Sequence, residues 1–167
     1  MWILDKNSIE NHKYLEHFGI VVVNQKSLNG ILYMITAKFL IDNRSKFNET
    51  IGKEKVDNRL SEGLFREILM VIAGRGQKTD VKRLDAIGRE VKALKLSNEK
   101  TLLSSLAIAK AVKTESIDKS LTACEKELPK LGKDSQMIAY YLSGSLAKAN
   151  DTQKARWQKI VQANTGK

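Results

Sequence analysis

Six residues, Gly74-Arg75-Gly76-Gln77-Lys78-Thr79, follow an apolar run and precede a helical pattern. That is the layout of a loop that cradles phosphate. A nucleotide-hydrolysing loop spaces its glycines by four residues and sets Lys directly after the second. Here one residue separates the glycines and Gln77 stands before Lys78, so the segment reads as a turn offering Arg75 and Lys78 to a phosphate, or as a plain helix stop. His12 and His17 lie five apart, whereas two ligands on one helix face need a spacing of four. No third histidine exists and Cys124 is the only cysteine. Leu142-Ser143-Gly144-Ser145 sits in a helical pattern, not on a strained nucleophile elbow. Asp57, Glu62 and Glu67 alternate with Arg59 and Arg66, as on a solvated helix. The sequence therefore reads as non-enzymatic, with no metal, cofactor or small-molecule substrate.

Charge carries the remaining chemistry. The 167 residues hold 29 basic and 19 acidic side chains, a net +10. The surplus is uneven. Residues 1–74 hold ten basic and nine acidic groups, 75–113 ten and four, and 114–167 nine and six. On a helical wheel of about 100° per residue, Leu84, Ile87, Val91 and Leu94 share one side of the segment from Lys78 to Lys95, with Val81 at their edge. Lys78, Lys82, Arg89 and Lys92 line the other, interrupted by Asp85. A helix buried on one face and basic on the opposite one can follow a row of phosphates, with affinity that comes from counterion release. Arg75, Arg83, Lys95, Lys100, Lys110 and Lys113 extend this candidate surface. Near the C-terminus, Lys154 and Arg156 stand with Lys148 and Lys159 around Trp157, which either packs with Ile160 and Val161 or stacks on an unpaired base.

The elements that must hold these residues read as helices. One proline and ten glycines in the chain suit long helices better than a turn-rich sandwich. Asn7 or Ser8 is expected to open a helix with Ile9, Tyr14, Leu15 and Phe18, ended by Gly19. Ile20-Val21-Val22-Val23 reads as a buried linker or part of a helix. Ser27 begins an amphipathic helix through Ile31, Ile35, Phe39 and Leu40, and the polar stretch 42–53 is expected to be a loop. Val56 to Ile72 forms a long helix whose end is apolar nearly all round, stopped by Gly74. Thr79 or Asp80 caps the basic helix, with Val81 read as inward-facing, and Ser97-Asn98 separates it from a helix through Leu102, Leu103, Leu106, Ala109 and Val112. Thr114 is expected to start a helix through Ile117, Leu121, Cys124 and Leu128, stopped by Pro129. Asp134 or Ser135 opens one carrying Met137, Ile138, Tyr141 and Leu142 inward, and Asn150 or Asp151 caps a short last one. The expected fold is an all-α bundle of about eight helices with short polar turns. It forms one domain, 1–167, in which 1–74 and 75–167 are candidate lobes. The N-terminus lacks a signal-peptide pattern and no apolar run is long enough to span a bilayer, so the expected location is the cytoplasm, with no membrane partner.

In length, helix number, mid-chain Lys/Arg surplus and lack of catalytic groups the chain resembles the small subunits of type I CRISPR surveillance complexes (Cascade). In some subtypes that subunit is the C-terminal part of the large subunit, made from an internal start, and the opening Met1-Trp2-Ile3-Leu4 is similar to that arrangement. The resemblance implies copies stacked head to tail among other subunits of a ribonucleoprotein. Their basic faces would hold the backbone of the guide RNA–target DNA heteroduplex and the displaced strand, while base pairing reads sequence. Two other readings fit the residues: a helical scaffold or adaptor whose charge only solubilises it, and a phage or plasmid protein that reads DNA sequence through a helix.

Overall fold

The computed structural model describes residues 37–75 and 81–165. Within them the chain is all-α, with eight α-helices, two 3-10 turns and no strand. The segments expected around Ile9–Phe18, Val21–Val23 and Ser27–Ile35, and the caps Thr79 and Asp80, lie outside the described residues. No described helix is long and apolar enough to cross a membrane.

The chain divides into two compact units after Gly63. The first contains α1 (Ala37–Asp42), α2 (Arg44–Ile51) and the opening turns of α3 (Lys53–Ile72). The expected loop over 42–53 is instead mostly α2. Its sequence is polar, but Phe47 and Ile51 are one turn apart and both buried, and that pair alone gives the helix an inner edge. Phe47 meets Phe39 edge to face, with ring centroids 6.2 Å apart. Gly52, at φ 90°, makes the break between α2 and α3 that a residue with Cβ would resist. Asp57 is not the solvated acid its spacing suggested: Arg44 donates to it at 2.6 Å and Lys53 also pairs with it. Burial alone would raise its pKa, but these two cations hold the carboxyl below its ordinary value.

The second unit, from Leu64 onward, begins inside α3 and not at the glycine stop near residue 74. The last turns of α3 are tied to later elements, which explains the position of the boundary. Glu67 accepts from Arg83, and the Ile72 carbonyl accepts from the Ser145 hydroxyl. Leu64, Ile68, Leu69, Val71 and Ile72 are all buried, as an apolar run on every side requires. The helix ends with Gly74 at φ 72°. The Gly74 N–H donates to Val71 at 2.9 Å and the Arg75 N–H to Met70 at 2.9 Å, the paired bonds of a left-handed glycine cap.

Next come α4 (Val81–Leu94), α5 (Glu99–Thr114), α6 (Ile117–Glu127), 3-10 turns at Leu128–Lys130 and Gly132–Asp134, α7 (Ser135–Ser145) and α8 (Asp151–Thr165). The turns are short, so α4 packs on α5 and α5 on α6, and α8 lies against α6 and α7. Leu84, Ile87 and Val91 of α4 and Leu102, Leu106, Ile108 and Ala109 of α5 are all buried in the core. Thr114 ends α5 and does not open α6. Ser116 is the cap, its hydroxyl accepting from the Lys119 N–H at 3.4 Å. Asn150 and Gln153 form a reciprocal cap at the start of α8, with bonds of 2.9 and 3.0 Å between each side chain and the other's backbone N–H. At 15 residues α8 is not short. Val81 and Met137, expected inward, are 41% and 45% exposed. Val81 sits at the rim of the apolar stripe of α4, whereas Met137 lies on the side of α7 opposite buried Ile138, Ala139 and Leu142.

Candidate nucleic-acid interface

The site begins with α4. Its buried residues centre on one side of the wheel, and Lys82, Arg89 and Lys92 fall within a sector of roughly 80° on the opposite side. All three are exposed, and none forms an ion pair among the described residues. The outer two are ten positions apart, about 15 Å along the axis. The row is straight because α4 has no internal break, and it faces outward because Leu84, Ile87, Val91 and Leu94 fix the other side in the core.

Gly88 shapes what lies beside this row. A Cβ there would come within 3.1 Å of Leu106 Cδ2, so the bare glycine lets α5 approach. The result is a shallow groove of about 400 Å³ between α4 and α5, walled by Asp85, Arg89, Lys92 and Lys110 over a floor of Leu103 and Ala107. Lys110 reaches across it to Asp85 at 2.6 Å. Hydrogen bonding and charge from Lys110, with a smaller contribution from Arg89, hold the Asp85 carboxyl below its ordinary value. The pair is exposed, so a phosphate can replace Asp85 as the partner of Lys110 at little cost. Sequence reasoning found Lys110 but not the groove. An isolated glycine in the middle of an amphipathic helix was the available signal.

The other sequence-predicted cations do not behave alike. Arg83 is held on both sides: Nε and Nη2 donate to Glu67 at 2.8 and 2.9 Å, and Nη1 donates to Glu90 at 2.9 Å. Glu67, and then Glu90, keep its pKa raised. Arg83 is thus a clamp between α3 and α4, not part of the exposed row. Arg156 is also committed, with Nε and Nη2 donating to Glu125 at 2.8 and 2.7 Å and Nη2 to Thr122 at 2.9 Å. It fastens α8 to α6. Lys154 lies 3.9 Å from Asp151. Arg75, Lys95, Lys100 and Lys113 are exposed, and Lys78 lies outside the described residues. Lys95 has φ 51°, a left-handed backbone at which α4 stops without a glycine. Trp157 is half-buried, one turn from buried Ile160.

No family model, curated protein or solved structure matches the chain. Among the described residues no group of three or more His, Cys, Asp or Glu side chains could hold a metal. Cys124 is buried, and burial, with the charge of Glu125 beside it, pushes its thiol up to about 12, leaving it protonated and unreactive at neutral pH. The arrangement offers a row of hydrated cations next to a cation-walled groove. Such a surface neutralises a polyanion without selecting among bases.

Proposed function

We propose that this protein is a non-catalytic subunit that binds the phosphate backbone of nucleic acid along α4, as a Cascade small subunit would. In that setting it stabilises the guide RNA–target DNA heteroduplex and the displaced strand, beside other subunits and copies of itself. The observation that supports the reading is the exposed row Lys82, Arg89 and Lys92, unpaired among the described residues and joined by Lys110 across the groove. Three to five phosphate contacts give a slope of log K against log salt of about −3 to −5 on duplex. Affinity for a mixed-sequence oligonucleotide, followed by fluorescence anisotropy, is then expected to fall about a hundredfold between 50 and 200 mM salt. No binding at 50 mM salt would leave a scaffold whose charge only solubilises it. A persistent preference for one duplex sequence would point to base reading instead.

A further inference from the structure

The helix α7 is built unlike its neighbours. Its sequence, Ser135-Gln136-Met137-Ile138-Ala139-Tyr140-Tyr141-Leu142-Ser143-Gly144-Ser145, contains no charged side chain, in a chain where 29% of residues are charged. Ile138, Ala139 and Leu142 are buried. Gln136, Met137, Tyr140, Ser143 and Gly144 are exposed and share a sector of roughly 120°. Tyr140 is 77% exposed, the most open of the large apolar side chains among the described residues. Its ring is braced by Tyr141, whose plane meets it at 89° with centroids 5.6 Å apart. A half-buried partner of this kind limits the orientations the outer ring can take.

Cations bracket this face. Lys133 precedes α7 by two residues and Lys148 follows it by three, and both are exposed without an ion pair among the described residues. Gln136, one turn before Tyr140, also lines a groove of about 680 Å³ with Lys133 and Lys159. Two acids lie near: Glu125 is already taken by Arg156, and Asp134, half-buried beside Lys133, sets one carboxylate against three lysines. An exposed aromatic between unpaired lysines matches single-stranded nucleic acid: bases stack on the ring and flanking phosphates meet the cations. A protein partner fits less well. Met137 and Tyr140 expose two side chains, and even an aromatic buries only about 150–250 Å², against about 800 Å² per side in a stable interface.

We infer that α7 is a second binding element, in which Tyr140 stacks an unpaired base and Lys133, Lys148 and Lys159 hold the neighbouring phosphates. This deepens the proposed function and rests on it, but uses residues separate from the α4 row. The test uses the full chain and two probes, a single-stranded oligonucleotide carrying one 2-aminopurine and a blunt duplex of the same sequence. Binding to the single strand is expected to quench 2-aminopurine by stacking. Tyr140→Ala is expected to remove that quenching and weaken single-strand binding about five- to a hundredfold, while Tyr140→Phe keeps both and duplex affinity stays as in the parent. Unchanged single-strand affinity and quenching in Tyr140→Ala overturns the inference alone, provided duplex binding persists. Failure of the parent chain to bind either probe overturns the α4 reading together with it. A shift in sedimentation on Tyr140→Ala, with single-strand affinity unaltered, also overturns it, by making the face a protein contact.

Discussion

Two basic helices of the second unit, α4 and α8, carry similar charge in sequence and differ in what the fold does with it. On α4, Lys82, Arg89 and Lys92 stay exposed and unpaired among the described residues. On α8, Arg156 is bound to Glu125, Thr122 and Asp118 of α6, and Lys154 lies near Asp151. The difference comes from the facing helix. Among the described residues, the charged group that the facing helix brings to the groove beside α4 is a cation, Lys110, which pairs with Asp85 of α4 itself, whereas the side of α8 bearing Arg156 meets a helix with carboxylates at 118 and 125. Arg83 repeats the lesson within α4, since one step around the wheel brings it to Glu67 and Glu90. A count of cations therefore overstates the charge available to a ligand. Carboxylates on the neighbouring element decide how much remains.

Replacing Lys82, Arg89 and Lys92 together by Ala is expected to reduce duplex affinity about a hundredfold near 0.1 M salt and flatten the salt slope by about 3. The thermal midpoint should hardly move, because exposed charges contribute little to stability. Unchanged affinity would leave the row as ordinary surface. Arg83→Ala should do the reverse. Loss of its charge-assisted hydrogen bonds is expected to lower stability in urea by about 1.5–3 kcal/mol, at the lower end because its side chain is 22% exposed. Affinity per folded molecule should be retained. Arg156→Ala is expected to show the same pattern, a lower thermal midpoint with intact binding.

Acid separates structural from binding charges in another way. Glu127 is 8% exposed. Burial alone would raise its pKa, yet hydrogen bonds from Lys130 and Ser104 keep it below the ordinary 4.5. A carboxyl depressed in the folded state adds stability at neutral pH, and that stability is lost as pH falls below 4.5 toward the folded-state value. Urea midpoints measured from pH 6 to 3 should fall in the parent and fall less in Glu127→Gln, which starts lower by about 1 kcal/mol.

Two smaller changes sharpen the picture. Lys95→Gly relieves a left-handed backbone and is expected to raise stability by about 1 kcal/mol while flattening the salt slope by about 1. Asp85→Asn removes the acid that competes with phosphate for Lys110 and should raise affinity a few-fold at low salt with the slope nearly unchanged. An unchanged slope in the first and unchanged affinity in the second would place Lys95 and Lys110 outside the contact.

Much of this fold was legible in the chain. The three-and-four spacing of Leu84, Ile87, Val91 and Leu94 fixes both the buried side of α4 and the opposite position of its cations, because a helix offers only one period. The apolar end of α3 and its glycine stop follow from the same local rules. Where the pattern was thin it misled. Two apolar residues in α2 were too few to separate a helix from a loop. Thr114 and Ser116 are both capable caps, and only packing chose between them. Met137 was grouped with the inward residues of a helix that carries no charge to mark its outer side, so its exposure depended on which neighbours α7 meets. Backbone periodicity is a property of nearby residues, and sequence carries it directly. Glu67, Asp85 and Glu125, which hold Arg83, Lys110 and Arg156, stand 16, 25 and 31 positions away from them, so which cations remain unpaired is settled only when helices pack.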